Sequence, residues 1–586
     1  MSDIHNIQKA VYPKISLCTQ DGLYFRKNQY VDLNIANSSL ILDKFGYIST
    51  DTYFNSLSIG KWKRHTNVND LNFSIIFKGK IKITWFINRL HYSPKILDEM
   101  YLDNTDLSEV SFALPFWNEL EDGMLAFSIQ ALDESIITDF SYFTHSEPNN
   151  TVKLGIVITH FNRQQYVLPA LERLKQELLS DAYFKDKVAL NVVDNSQNLP
   201  EVENVAIIKN ENLGGSGGFT RGLMALKEDG NYTHCLFMDD DASCEVEGIK
   251  RTISLLQFAK DPELAIGGAM LREDEMYRQY ENGAKFDGLL TPIKAGLDLR
   301  EVPHLLINEQ EEKIDFCGWW YFAFPLSKVK HYAFPFFVRG DDIGFGLAHK
   351  FNIITLNGIS SWQGDFALKH GPLPAYLDNR HQIMQHFHHF ADQGILNLIK
   401  ITARMTLRNL FTYHYETALA AIMAVEDAIK GNEFWEKNVD MAAKRKEISS
   451  LIENEKASQI PVSLRNIAQP GNPHEGRLAR LCRWITLNGH LLPEIFFRKG
   501  IVWQNKAQGN LREVYRYKRV LYIHWATNSG FVLEHNKSKF FKLLFRYSKA
   551  IFKLAKNYDR LKKEYQSSYD ELTSTEFWKK QFKQDQ

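Results

Sequence analysis

Apolar residues along the chain fall into three successive patterns. From about residue 13 to 143 they come in short runs, alternating in Ile81-Lys82-Ile83-Thr84-Trp85-Phe86 and clustered in Asn72-Phe73-Ser74-Ile75-Ile76-Phe77, between Gly, Asn, Asp and Ser turns. This spacing predicts the short strands of a β-sandwich. A polar stretch at 145–150 reads as a linker. Beyond Val152 the apolar runs become continuous, at 154–158, 188–193, 205–208 and 235–238, with helical periodicity between them around Tyr166 to Leu179 and after the third run. Buried strands alternating with helices are the signature of right-handed parallel βαβ units. The third pattern is mainly helical. Near its end Lys542, Arg546, Lys549, Lys553, Lys556, Arg560 and Lys563 recur every three or four residues, opposite Phe541, Leu544, Phe545, Ile551, Phe552, Ala555 and Tyr558. That is a basic amphipathic helix, suited either to a solvated surface of its own domain or to an anionic membrane surface.

Length turns these patterns into domains. At 586 residues the chain exceeds what one core supports. The expected division is a β-sandwich at 1–150, an α/β nucleotide-binding domain at 151–390 and a helical domain at 391–586. A formal net charge of zero gives no footprint for a nucleic-acid partner. Five cysteines, odd in number and without metal-ligand spacing, point to a reducing compartment. The polar start carries no signal segment, and no apolar stretch reaches the ~18 residues of a membrane span. The expected location is cytoplasmic, peripheral at most on the inner face of the cell membrane.

The candidate chemistry gathers in the middle of the chain. The run Cys235-Leu236-Phe237-Met238 ends in Asp239-Asp240-Asp241. Three adjacent anions suit a divalent cation with oxygen ligands, Mg²⁺ or Mn²⁺, at the carboxyl end of a strand, although a solvated acidic turn has the same sequence. Alternation along a strand sends Asp239 and Asp241 to one side and Asp240 to the other. Upstream, Asn212-Leu213-Gly214-Gly215-Ser216-Gly217-Gly218 permits close backbone approach to a ligand, and the helix that follows offers amides to phosphate. Thr159-His160-Phe161-Asn162-Arg163 follows the first strand, where a base and ribose could be held. Downstream, Trp319-Trp320 could stack on sugar faces or lie in a core, and Asp341-Asp342 could supply a general base or cap a helix.

In this order the motifs Phe161-Asn162-Arg163, Asn212 to Phe219, Phe237 to Asp241, Gly318-Trp319-Trp320 and Asp341-Asp342-x-x-x-Gly346 resemble the bacterial galactofuranosyltransferases that polymerise the mycobacterial cell-wall galactan. These are inverting family-two glycosyltransferases with a GT-A core. The resemblance implies an amino-terminal β-sandwich and a helical carboxyl-terminal region around that core. It implies that Arg163, Asn212, Gly214, Gly215, Asp239 and Asp240 bind the uridine diphosphate sugar, with Asp240 close to the donor sugar. Asp239 and Asp241 would hold Mn²⁺ or Mg²⁺, Trp319 and Trp320 would shape the acceptor site, Asp342 would be the base, and Asp341 would hold an acceptor hydroxyl. The implied partners are a UDP-sugar donor, a glycan or lipid-linked glycan acceptor and a second copy of the chain. One position departs from the pattern. The family's further metal ligand is a histidine after a tryptophan, and here Gln363 follows Trp362, leaving Gln363, Asp365 or His370 for that role. Two other readings stay open: the same fold with a pyranose donor such as UDP-galactopyranose, and a non-catalytic glycan-binding scaffold.

Overall fold

The computed structural model describes residues 4–583 apart from 241–242, 365–368, 473, 506–508 and 526. Asp241 and Asp365 therefore lie outside the described residues.

The amino-terminal part is an antiparallel β-sandwich. Its spine is the strand Asn72–Asn88, whose first half pairs with Ser135–Thr144 and whose second half pairs with Met124–Ala131. Phe73 and Trp85 are twelve residues apart on that strand, a span of ~40 Å if it ran straight. Their rings lie 5.7 Å apart. The strand therefore folds over on itself, and register shifts at Phe77/Gly79 and Trp85/Phe86 mark irregularities in its pairing with Lys95–Ala113. Phe127 and Phe140 complete the aromatic centre, at 5.0 and 6.1 Å from Phe73.

The central part is a mixed sheet. We number its strands β1 (Leu154–His160), β2 (Val188–Asp194), β3 (Val205–Lys209), β4 (His234–Asp239), β5 (Leu264–Arg272), β6 (Gln279–Glu281), β7 (Phe322–Pro325) and β8 (Asn352–Gln363). The order is β3-β2-β1-β4-β7-β5-β6, with β8 also paired to β5. The first four are parallel, whereas β7 is antiparallel to both β4 and β5. This is the GT-A arrangement that the resemblance implied. The apolar runs at 154–158, 188–193 and 235–238 form the interior parallel strands, which are covered on both faces, whereas the run at 205–208, expected to be buried as well, forms the half-exposed edge strand β3, which has a neighbour on one side only. The central helices are α1 (Gln164–Leu174), α2 (Gly214–Asp229), α3 (Val246–Phe258) and α4 (Asp341–His349). Nearly all of α3 is buried, because it lies between sheet and sandwich: Lys9 N donates to Glu247 at 2.7 Å, Arg251 donates to Phe54 O at 2.8 Å, and Tyr24 donates to Glu245 at 2.8 Å. The polar 145–150 stretch is tied to the end of α3 through Asn150, whose amide donates to Gln257 O at 2.9 Å.

The remaining chain is mainly helical, with α5 (Pro372–His389), α6 (Gly394–Phe411), α7 (Tyr415–Ala428), α8 (Arg477–Ile485), α9 (Lys537–Lys556) and α10 (Thr575–Gln581). It also carries a five-stranded mixed sheet built from Ser458–Gln459, Ala468–Pro470, Arg498–Asn505, Tyr517–His524 and Ser529–Glu534, which the helical periodicity did not signal. The basic amphipathic helix differs from its expected form. It breaks at Asn557, and α9 buries Phe540, Leu543, Tyr547, Ala550 and Leu554. Of the expected apolar face, Phe545 and Phe552 stay exposed. The stripe chosen by tertiary packing is rotated by about one position from the one that hydrophobicity alone suggested. No described helix is long and apolar enough to cross a membrane.

Candidate active site

The parallel strands end level with one another. His160 on β1 is in register with Asp194 on β2, and Thr159 with Asp239 on β4. Their carboxyl ends form one edge, where open α/β sheets place their ligands.

Asp239 and Asp240 diverge there as strand alternation requires. Asp240 turns toward β1, accepting from Phe161 N at 3.2 Å and facing His160 Nδ1 at 3.2 Å and Arg163 Nε at 3.3 Å. Burial works against a charged His160, but its contacts to Asp240 and Asn198 outweigh it and raise the imidazole pKa. Asp194 behaves in the opposite sense. It is buried, yet four contacts, from Leu199, Ser196 and Asn198, hold its carboxyl below the ordinary range. It thereby fixes the turn that faces Asn162, whose backbone has φ of 54°. Arg163 lies 4.3 Å over the ring of Tyr166, and Phe161 and Tyr166 are both exposed beside it.

Asp239 turns the other way, toward β8. Gln363 Nε2 donates to its Oδ2 at 3.2 Å. The segment after the acids is stapled to β8 through Ser243 and Trp362, which exchange backbone hydrogen bonds of 3.3 and 2.8 Å. Asp239 and the amide of Gln363 form an oxygen-bearing pair whose chemistry fits a hard divalent cation. Among the described residues no group of three His, Cys, Asp or Glu is gathered for a metal. His370 is found against His414, with ring centroids 5.6 Å apart, and burial depresses its pKa to about 4.

The glycine-rich run is the first part of α2 rather than a separate loop. Gly214, with φ of 70°, opens the helix while Asn212 Oδ1 accepts from its amide at 3.2 Å. Gly218 and Gly222 let α2 sink onto β1: a Cβ at either would come within 2.3 Å of Thr159 or Val157. Here the glycines serve helix-to-sheet contact as much as any ligand.

The start of α2 meets the second acidic motif. Phe337 O accepts from Ser216 N at 3.0 Å, and Ser216 Oγ donates to Asp341 Oδ2 at 3.1 Å. The loop that delivers Asp341 and Asp342 is strained, with positive φ at Phe337, Arg339 and Gly340. Such strain persists only where surrounding contacts over-determine it. Those contacts come from α5: Arg380 donates to Phe336 O, Gln385 donates to Gly340 O at 2.7 Å, and Asp378 pairs with Arg339 at 2.6 Å. Asp341 and Asp342 then open α4, where Asp342 Oδ1 accepts from Ile343 N at 2.8 Å. Burial raises the proton affinity of both carboxyls, and the charge of Asp341 raises that of Asp342 further.

A third carboxyl belongs to this cluster, with no motif around it to mark it. Glu281, on the short strand β6, is 2 % exposed, and its Oε1 has no hydrogen-bond partner among the described residues. Burial, then the charge of Asp342, pushes its pKa up to about 8. Its folded pKa exceeds the ordinary 4.5, so its contribution to stability is complete below about 4.5 and is lost as pH rises through about 8. Glu281→Gln should therefore gain on the wild type across that window by up to about 1.4 kcal/mol per pH unit, which paired chemical denaturations at pH 5 and pH 8 would measure. Equal stability differences at the two pH values would contradict this.

The paired tryptophans are mostly interior. Trp319, 5 % exposed, lies among Phe219, Phe237 and Phe345 at 4.8 to 5.6 Å. Trp320, 8 % exposed, donates to Gly268 O at 3.2 Å. A cavity of 720 Å³ lies elsewhere, between the sandwich and the carboxyl end of α4, lined in part by Lys61, Lys294, Asp315 and Leu347. It holds none of these acids.

Comparison with known proteins adds to this geometry. No family model matches the chain. Over 92 % of its length the chain is 23 % identical to the galactofuranosyltransferase GlfT2 of Mycolicibacterium smegmatis, spanning 90 % of that protein. It is a distant homologue of GlfT2. The GlfT2 of Mycobacterium tuberculosis is 24 % identical over 68 % of the chain and 67 % of that protein. At 92 % of the chain, the Mycolicibacterium smegmatis alignment reaches the sandwich, the sheet and the helical region alike. Among solved structures, the mannosyltransferase PcManGT from Pyrobaculum calidifontis, in complex with GDP-Man and Mn²⁺, is 13 % identical with a TM-score of 0.29, over 52 % of this chain and 83 % of that one. TarS of S. aureus is 13 % identical with a TM-score of 0.29, over 53 % and 94 %.

Proposed function

We propose that the chain is an inverting galactofuranosyltransferase that moves galactofuranose from UDP-galactofuranose to a hydroxyl of a glycan or lipid-linked glycan. The observation that carries this reading is the acid pair Asp341-Asp342, the first carboxyl buried and the second half-buried, its proton affinity raised, standing against the start of α2 at the same sheet edge as Asp239 and Asp240. A scaffold has no use for such a pair, whereas a base that must accept a proton near neutrality requires one.

In this mechanism Asp342 takes the proton from an acceptor hydroxyl held by Asp341. The freed oxygen attacks the anomeric carbon from the face opposite the nucleotide, and the bond to the β-phosphate oxygen breaks with inversion. Arg163 and Asn212 hold the uridine diphosphate, with the backbone at Gly214 and Gly215 close to it, and Asp240, steadied by His160, faces the donor sugar. Asp239 and Gln363 would hold the Mn²⁺ or Mg²⁺, together with Asp241, which the resemblance adds to that set. Bound there, the cation would neutralise charge on the departing diphosphate. Trp319 and Trp320 back the acceptor side as a rigid wall with at most an edge exposed. Residues 1–150, 151–390 and 391–586 are taken as three functional units, and the enzyme as a cytoplasmic one that works peripherally at the membrane and assembles with further copies of itself.

The test is mass spectrometry of products from a donor panel. With Mn²⁺ and a galactofuranoside acceptor, UDP-galactofuranose should give acceptors extended by one or more hexose units, and UDP-galactopyranose at most ~1 % of that rate, a difference of about 2.7 kcal/mol in transition-state binding. Comparable rates with both would reject the furanose assignment. No UDP release with any donor would reject the enzymatic reading in favour of a binding protein.

A further inference from the structure

Helix α8 presents its amphipathic faces the wrong way round for a soluble domain. Leu478, Leu481 and Ile485 lie at i, i+3 and i+7 and are 78, 55 and 66 % exposed, with Trp484 beside them at 68 %. The one buried residue of the helix is an arginine, Arg483, which pairs with Glu475 through contacts of 2.8 and 3.0 Å. The inversion continues down the chain, where Leu491, Ile495 and Phe496 are also exposed. The segment is anchored to the helical domain from its other side: Asn488 donates to Phe411 O at 2.9 Å, and the ring of His490 stacks on Phe540 at 3.7 Å. The apolar face is thus fixed in place and turned to solvent. Contiguous apolar surface of this kind marks a docking face.

Charge identifies the occupant. Residues 474–500 carry five cationic side chains against two acidic ones. Glu475 pairs with Arg483 at 2.8 Å and reaches Arg480 at 3.9 Å, and Glu494 faces Lys518 at 3.2 Å; Arg477, Arg480, Arg498 and Lys499 all stand exposed around the apolar residues. A short helix with leucine, isoleucine and tryptophan on its outer face, ringed by arginine and lysine, fits the boundary between the headgroups and acyl chains of an anionic bilayer. We propose that α8 and the segment following it form an interfacial docking face for an anionic lipid surface, in place of the carboxyl-terminal basic helix whose packing stripe is buried. The purpose rests on the reading of a membrane-borne acceptor, but the binding itself is measured without donor or acceptor.

The experiment is co-sedimentation of the full chain with phosphatidylcholine vesicles, with and without phosphatidylglycerol. The wild type should partition onto the anionic vesicles, less so as salt rises, and L481E/I485E should lower that partition at least about tenfold. F545E/F552E, on the exposed side of α9, should partition as the wild type does. Wild-type binding by L481E/I485E would overturn the proposal, as would a wild type that ignores anionic vesicles. Light scattering supplies a further arm: if L481E/I485E splits an oligomer, the face belongs to a second copy of the chain and the lipid assignment falls. All four substituted residues are exposed, so matching thermal melts are expected. Turnover of L481E/I485E on a water-soluble acceptor should equal that of the wild type. If the wild type itself shows no turnover, the proposed reaction fails while the vesicle result stands on its own.

Discussion

Asp342→Asn should lower turnover by about 10²–10⁴-fold, the usual worth of a positioned general base, while UDP binding stays within about twofold. The substitution preserves shape and keeps the acceptor for Ile343 N at 2.8 Å, so α4 retains its first turn. What it removes is the one property that burial and Asp341 have raised, the capacity to take a proton near neutrality. Single-turnover kinetics beside UDP titration calorimetry would separate the two effects. In the wild type kcat/KM should fall as pH drops through the apparent value of the acid pair, because the base must be ionised to work. The residual activity of the Asn variant should lack that limb. Turnover near the wild-type rate would remove Asp342 from the role of base.

Gly214→Ala should do its damage through the backbone. A Cβ there would lie 2.1 Å from Phe337 O, a main-chain atom, at a φ of 70° that side chains rarely adopt. Strain and clash together should cost roughly 2–4 kcal/mol, read as a lower urea midpoint. The clash also pushes on the strained loop that carries Asp341 and Asp342, so turnover should fall even where the variant is fully folded. Gly230→Ala is the control, since it has a similar φ of 72° but open space where the Cβ would lie. It should lose roughly 1 kcal/mol and no activity. Equal losses at both positions would mean that the contact with Phe337 is immaterial.

How much of this was readable from the chain varies by element. The interior parallel strands were legible because they are buried on both faces, which leaves long apolar runs such as 154–158 and 235–238. The antiparallel insertion β7 was not, because its Phe-Ala-Phe-Pro carries no mark of direction; that is set by pairing to β4 and β5. The glycine-rich run was recognised, but its contact with Thr159 and Val157 was hidden, since one glycine pattern serves ligand approach and helix packing equally. Glu281 is a lone acid in a short polar segment. Only burial beside Asp342 gives it meaning, and burial is a tertiary property. The sheet between 458 and 534 was the avoidable omission: Val520-Leu521-Tyr522-Ile523 and Phe531-Val532-Leu533 are strand-like runs within a region read as helical.

The last helix carries one more consequence. Trp578 on α10 donates to Ala333 O at 2.9 Å and rests where a Cβ on Gly217 would meet it at 3.4 Å, while Lys583 reaches Glu211 at 2.6 Å. The outer side of α2 is therefore closed by residues synthesised more than three hundred positions later. On the ribosome, the sandwich and the parallel strands can settle as they emerge. The helix at the heart of the site has to wait for α10, so α2 is closed only after more than three hundred further residues have been translated.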